Sequence, residues 1–291
     1  MGGESSSVNV LAVSHVQTVV LNLFPAHLNR DTKELQYVKD FEPERDVVTQ
    51  IRVLLYGSIG NGKSTFINSV STVLRGRMVN TAMVSAINYE GTSFTKKYET
   101  HKIRKETWGS FYPFVFNDIM GLEEGTGRGV RVDDIKLAMK GHVMEGYKFN
   151  PASSLSSSDS GYNPTPSNDD KVHVLVCVCS GNAAEISDSV LQKMREIREA
   201  ASDLGIPQLV VVTKLDEACP ETEKDLQNIY KSKLVKKKMT DLSSELGIPL
   251  NCILPVKNYS QEISQHPDCD MLILNALKLI LDFGNDFIEK F

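Results

Sequence analysis

Gly57-Ser58-Ile59-Gly60-Asn61-Gly62-Lys63-Ser64 is the stretch on which the fold turns. The apolar run Ile51-Arg52-Val53-Leu54-Leu55-Tyr56 leads into it, and Thr65-Phe66-Ile67-Asn68-Ser69-Val70 follows. A buried strand, a glycine loop and a helix start, in that order, are the setting a phosphate-binding loop requires. Glycines let the backbone curl so that its N–H groups converge on phosphate oxygens. The first helical turn adds unpaired N–H groups and the positive end of its dipole. In this reading Gly57, Ser58, Gly60, Asn61, Gly62 and Thr65 form the cradle. Lys63 reaches the β- and γ-phosphates, and the Ser64 hydroxyl sits on Mg²⁺. Gly and Ser also suit ordinary turns, so it is the matching flanks that favour phosphate.

Outward from the loop, strand and helix patterns alternate, as a mostly parallel α/β sheet covered on both faces demands. Helices are expected over 32–41, 63–74, 132–143, 187–204, within 222–246, and over 268–291. Strands are expected over 94–104, 112–117, 172–178, 209–212 and 251–256. Residues 1–45 read as an N-terminal extension with a short packing helix, and 46–291 as the main domain. Residues 121–129 are glycine-rich and expected to be mobile. Residues 152–170, rich in Ser, Pro, Asn and Asp, hold too few apolar side chains to offset their ordering entropy, which predicts a disordered excursion.

Two further motifs follow in the order a nucleotide switch needs. Phe114-Val115-Phe116-Asn117-Asp118-Ile119-Met120-Gly121 is an apolar strand ending in Asp-x-x-Gly. Asp118 would hold Mg²⁺ through a water, and the Gly121 N–H would bond the γ-phosphate. Val210-Val211-Val212-Thr213-Lys214-Leu215-Asp216 delivers Thr-Lys-x-Asp, which suits guanine. Asp216 accepts from N1–H and the exocyclic amine while the Lys214 stem packs over the base. Adenine would leave that carboxylate facing a lone pair, at a cost of about 1–3 kcal/mol. Lys257, in Val256-Lys257-Asn258 after the last strand, would back the purine; an ordinary strand-end turn is the alternative. A hydroxyl from 89–95 would complete the Mg²⁺ site, Thr92 being preferred to Thr95. No catalytic residue beyond Thr92 suggests itself.

Together these motifs resemble the three-layer P-loop NTPase fold of Ras-like G domains, binding GTP or GDP with Mg²⁺. More narrowly, the chain resembles the interferon-induced protein 44 family. The residues behind this are 54–69 (LLYGSIGNGKSTFINS), 36–39 (QYVK), 117–122 (NDIMGL), 132–135 (VDDI), 146–151 (GYKFNP) and 256–260 (VKNYS). The match runs from about residue 35 to 291, and Tyr147-x-Phe149-Asn150-Pro151 is its most discriminating part. Longer family members carry an N-terminal domain that this sequence lacks. The resemblance implies an interferon-inducible, cytoplasmic, GTP-binding-like protein with antiviral, antiproliferative or interferon-feedback roles.

Hydrolysis needs a group that orients water, typically a Gln just after Asp-x-x-Gly. Here that residue is Leu122, and the branched Ile59 would crowd the γ-phosphate. Slow turnover is therefore expected, unless a nucleotide-dependent homodimer supplies Arg128 or Arg131 in trans. The alternative is a non-hydrolysing scaffold that binds immune signalling proteins.

Composition limits the rest. The 291 residues are 41% hydrophobic and 24% charged, with a net charge of −5. The acidic balance argues against nucleic acid as a partner. Five cysteines, two alternating in an apolar run, suit buried thiols in a reducing compartment, which together with no long apolar stretch points to a soluble, cytosolic protein. Met1-Gly2-Gly3-Glu4-Ser5-Ser6 satisfies the N-myristoylation pattern, and a membrane enters as a partner only if Gly2 is so modified. An unmodified flexible start is the alternative. The run Lys231, Lys233, Lys236, Lys237 and Lys238 reads as a solvated helix face, or as a second membrane signal beside the myristoyl group.

Overall fold

The apolar run before the glycine loop is strand β1 (Ile51–Tyr56), with all six residues buried. Such a run has no polar face to offer water, so it must lie inside a sheet covered on both sides. The computed structural model describes residues 33–80, 82, 96–183 and 185–290. Gly2, Thr92 and Thr95 fall outside the described residues.

Helix α1 (Lys33–Lys39) precedes β1, and α2 (Lys63–Arg75) follows the loop. Then come β2 (Glu99–Arg104), β3 (Phe111–Asp118), α3 (Val132–Met139), β4 (Val174–Ser180) and α4 (Asp188–Asp203). The last third holds β5 (Gln208–Thr213), the short α5 (Leu215–Ala218) and α6 (Pro220–Lys224), then α7 (Lys233–Leu246), β6 (Ile253–Pro255) and α8 (Pro267–Ile288). The expected strand over 251–256 is shorter, because 250–252 forms a 3₁₀ turn first.

The strands form one sheet in the order β2-β3-β1-β4-β5-β6. Only β2 runs antiparallel; β1 pairs in parallel with both β3 and β4. From β1 the chain therefore winds first to one side and later to the other. The crevice outside the strand C-termini at such a reversal is where open α/β sheets take ligands. The glycine loop leaves β1 at that point. Helix α2 buries Phe66, Ile67, Val70 and Leu74, and Phe66 meets Phe116 of β3 edge-on at 6.0 Å. Helix α8, the longest among the described residues, buries Leu277, Ile280 and Leu281 beside β1 and β4. Its Gly284 permits a close approach, since a Cβ there would lie 2.6 Å from Ile51. The fold is a mostly parallel α/β sheet of the P-loop class.

The excursion at 152–170 is a correction: it is ordered. Leu155 is buried, and its N–H donates to Asp134 Oδ1 at 2.8 Å. Arg131 Nε donates to Ser154 Oγ at 2.7 Å, and Tyr162 stacks on His142 at 4.9 Å. Its far end grips β1, where Arg52 Nε donates to the Asp169 carbonyl at 2.7 Å. Weighing apolar burial alone misses such a segment, because its order comes from polar side chains closing turns and capping neighbours. The glycine-rich 121–129 loop is likewise fastened. Leu122 N–H donates to Gly57 O at 3.0 Å, and Lys193 Nζ donates to the carbonyls of Glu123 and Gly125 at 2.7 and 2.8 Å.

Candidate functional site

Three glycines shape the loop. Gly57 has φ +143°, and a Cβ there would lie 2.2 Å from the Val178 carbonyl of β4. Gly60 and Gly62 have φ +75° and +87°, conformations that L side chains rarely adopt. Around Gly60 nothing lies within 4 Å of where a Cβ would stand, so its φ and not crowding calls for glycine there.

The loop is tied to its neighbours by side chains. Asn61 Nδ2 donates to Val178 O at 2.8 Å, and Thr213 Oγ1 donates to Asn61 O at 2.8 Å. Asn258 Nδ2 donates to Gly62 O at 3.1 Å. Sequence reasoning missed Asn258 as a brace; its place beside Lys257 at a strand end was the available signal.

Lys63 and Thr65 open α2. Lys63 is buried, and its ammonium donates to the carbonyls of Gly57 and Ser58 at 3.1 and 3.2 Å. Burial holds its pKa below the ordinary value while Asp118 pulls the other way. An anion in the curl would restore the full preference for the charged form. Ser64 Oγ donates to the Asp118 carboxylate, which the end of β3 brings to the helix start. A hydroxyl beside a carboxylate is the oxygen donor chemistry that Mg²⁺ takes, so these two residues fit that ion.

On the far side, β5 ends at Thr213 and Lys214 stands at φ +56°, the sole non-glycine with positive φ among the described residues. Strain of this kind collects at functional sites, where the surroundings hold it in place. Two residues on, Asp216 Oδ2 pairs with Lys257 Nζ at 2.8 Å, and Lys257 also meets Glu262 at 2.9 Å. Burial lowers the Lys257 pKa, but its bonds to the two carboxylates outweigh that and raise it. Glu262 is brought down to about 2: burial works against ionisation, and the Ser260 N–H and Lys257 overcome it. Lys257 is thus joined to Asp216, the residue read from sequence as the guanine acceptor.

The sequence comparisons agree with the family read from the motifs. The chain is 34% identical to human interferon-induced protein 44 over 256 residues and 35% to the mouse protein, covering 88% of this chain. It is 30% identical to human interferon-induced protein 44-like over 253 residues. The chain is homologous to the interferon-induced protein 44 family. It spans 55–60% of the length of these relatives. No family model matches. Among solved structures, a bacterial selenocysteine-specific elongation factor, EF-Sec, aligns at 15% identity with a TM-score of 0.41, covering 84% of this chain and 29% of that one. At that score the likeness is remote, and the fold assignment rests on strand order and direction.

In this chain Ile59 and Leu122 stand together over the loop. A Cβ on Gly121 would lie 2.7 Å from Ile59 Cγ1, so the branched side chain packs on the glycine of Asp-x-x-Gly. Leu122 is buried and pairs with Ser58 as an isolated bridge. Neither side chain can hold or activate water. Of the residues read from sequence, the structure brings Lys63, Ser64 and Asp118 together at one end, and Thr213, Lys214, Asp216 and Lys257 at the other.

Proposed function

We propose that the chain binds a guanine nucleotide as a switch, with GTP hydrolysis slow or dependent on a partner. The observation that carries this is the joining of two half-sites by the loop itself. Thr213 bonds Asn61 and Asn258 bonds Gly62, so the guanine-reading end and the phosphate curl form one braced unit. In this reading Gly57 to Thr65 and Gly121 take the phosphates, and Asp216, Lys214 and Lys257 take the base. Ser64 and Asp118 would hold Mg²⁺, which would supply positive charge against that of the phosphates. Thr92, outside the described residues, would complete that set.

The names of the relatives support induction by interferon, and a part in the immune response belongs to this proposal. Five free, buried cysteines agree with a reducing, cytoplasmic setting. Among the described residues no helix is long and apolar enough to cross a membrane.

Nucleotide content after native purification tests the proposal. The expected result is GDP or GTP in near-stoichiometric amount, lost in Lys63→Ala, with affinity rising on addition of Mg²⁺. A folded protein that carries no nucleotide and does not bind added GDP would overturn it. Leu122 favours a second reading, a non-hydrolysing scaffold that docks immune signalling proteins. Under that reading a nucleotide-free protein still captures its partner.

A further inference from the structure

Helix α7 carries its charges the wrong way round for its own stability. Lys233, Lys236 and Lys237 crowd its N-terminal half, while Asp241 and Glu245 occupy its C-terminal half. No acid lies in its first turn and no base in its last, so both ends oppose the helix dipole. Among the described residues, none of the lysines from Lys231 to Lys238 forms an ion pair. In their midst Leu234 is 42% exposed.

The other half of the same helix borders a cavity of about 560 Å³. Its floor is apolar, with Ile59, Leu122, Val190 and Leu242 among the lining residues. Carboxylates dominate its charge: Glu123, Glu124, Glu185, Asp241 and Glu245 stand against Arg128 and Lys238. The cavity thus suits an apolar side chain flanked by cations, which is what Leu234 and its lysines present.

The two surfaces share one flank. Leu234, Lys238, Asp241 and Glu245 follow at spacings of four, three and four, which align on a helix. Leu234 lies about 10 Å from Asp241 and about 16 Å from Glu245 along the axis. Complementary patches that adjoin on one helix can meet their counterparts twice around a two-fold axis.

We propose that α7 is a homodimer interface. Two copies lie antiparallel along this helix, each placing Leu234 in the other's cavity and its lysines against the other's carboxylates. The opposed dipoles of the paired helices then also favour the arrangement. A bound nucleotide is not required, so failure of the guanine proposal leaves this one standing.

Sedimentation velocity between about 1 and 100 µM, a range that spans typical weak self-association, tests it on the full chain. Wild type is expected to dimerise, with affinity falling as salt rises. The double variants Lys233→Glu/Lys237→Glu and Asp241→Lys/Glu245→Lys should each dimerise at least about tenfold more weakly, because like charges then face each other. Mixed in equal amounts, the two should form a heterodimer, since every pair regains opposite signs. Far-ultraviolet circular dichroism verifies that both variants are folded. A monomeric wild type, undiminished dimers in the variants, or a mixture that stays monomeric would each overturn the proposal. So would lysine-dependent binding of the wild type to vesicles containing phosphatidylserine without any dimer.

Discussion

His173 should make the fold acid-sensitive in a defined window. It lies at the entry to β4 and is fully buried. Its Nδ1 accepts the Arg52 N–H of β1 at 2.9 Å, and its Nε2 bonds the Asn168 carbonyl at 3.1 Å. That pattern assigns the neutral tautomer with hydrogen on Nε2. A second proton on Nδ1 would face an N–H donor and break the tie between β1 and the 152–170 excursion. Burial, the largest cause, and the nearby Arg52 cation bring the pKa from 6.5 down to about 4, although the Asn168 carbonyl works the other way.

The native state therefore binds this proton more weakly than the unfolded chain does. Its stabilising contribution is complete above 6.5 and is lost as pH falls toward 4. With those two values, lowering pH from 7 to 5 removes about 2 kcal/mol at this one site. His173→Gln offers an amide oxygen to Arg52 and an amide N–H to Asn168, without a titrating group. Urea unfolding at pH 7 and pH 5 is the assay. The difference between wild type and variant cancels the shared carboxylate terms, and it should shrink by about 2 kcal/mol at the lower pH. Parallel pH dependence in the two proteins would refute the neutral-histidine tie.

Four further outcomes follow from particular contacts. Gly57→Ala puts a Cβ 2.2 Å from Val178 O at φ +143°; it should destabilise by at least about 3 kcal/mol, read by chemical denaturation. Asp216→Asn should weaken GDP by tenfold or more, by roughly 1.5–3 kcal/mol for a charged hydrogen bond, and shift preference toward xanthine nucleotides, whose C2 carbonyl can accept from the new amide; nucleotide titrations decide, and unchanged GDP affinity would count against guanine reading by this residue. Asp134→Ala orphans the Leu155 N–H and should cost about 1–3 kcal/mol, whereas Asp134→Asn keeps an acceptor and should cost less. Burial raises the Asp134 pKa, so the native state holds that proton more tightly, and wild-type stability from this group should fall as pH rises past the usual carboxylate value while Asp134→Asn lacks the effect. Leu122→Gln should raise the single-turnover GTP hydrolysis rate if the want of a water-orienting group is what limits it; an unchanged rate would point to Ile59.

Much of the architecture was legible because its signals are local. A glycine loop between an apolar run and a helical period can be read without knowing any partner in space, and the strands ending at Asp118 and Thr213 follow from the same periodicity. Even the likeness to the interferon-induced protein 44 relatives was readable from short ordered motifs. The misread segments were those whose order depends on distant groups. Residues 152–170 looked unable to fold, since their anchors Arg52, Asp134 and His142 lie elsewhere in the chain. The pairing of Lys257 with Asp216 and Glu262 was out of reach for the same reason, since it needs β6 set beside β5.

The lysine run on α7 shows the same division. Its charge and spacing are plain in the sequence, where a solvated face is a sufficient account. The acid-rimmed cavity beside it exists only because α4, α7 and the loops after β1 and β3 are folded against one another. Local propensity and side-chain period act over a few residues and so can be read along the chain. Burial, hydrogen-bond partners and cavity shape are set by residues far apart in sequence, and the tertiary structure alone decided them.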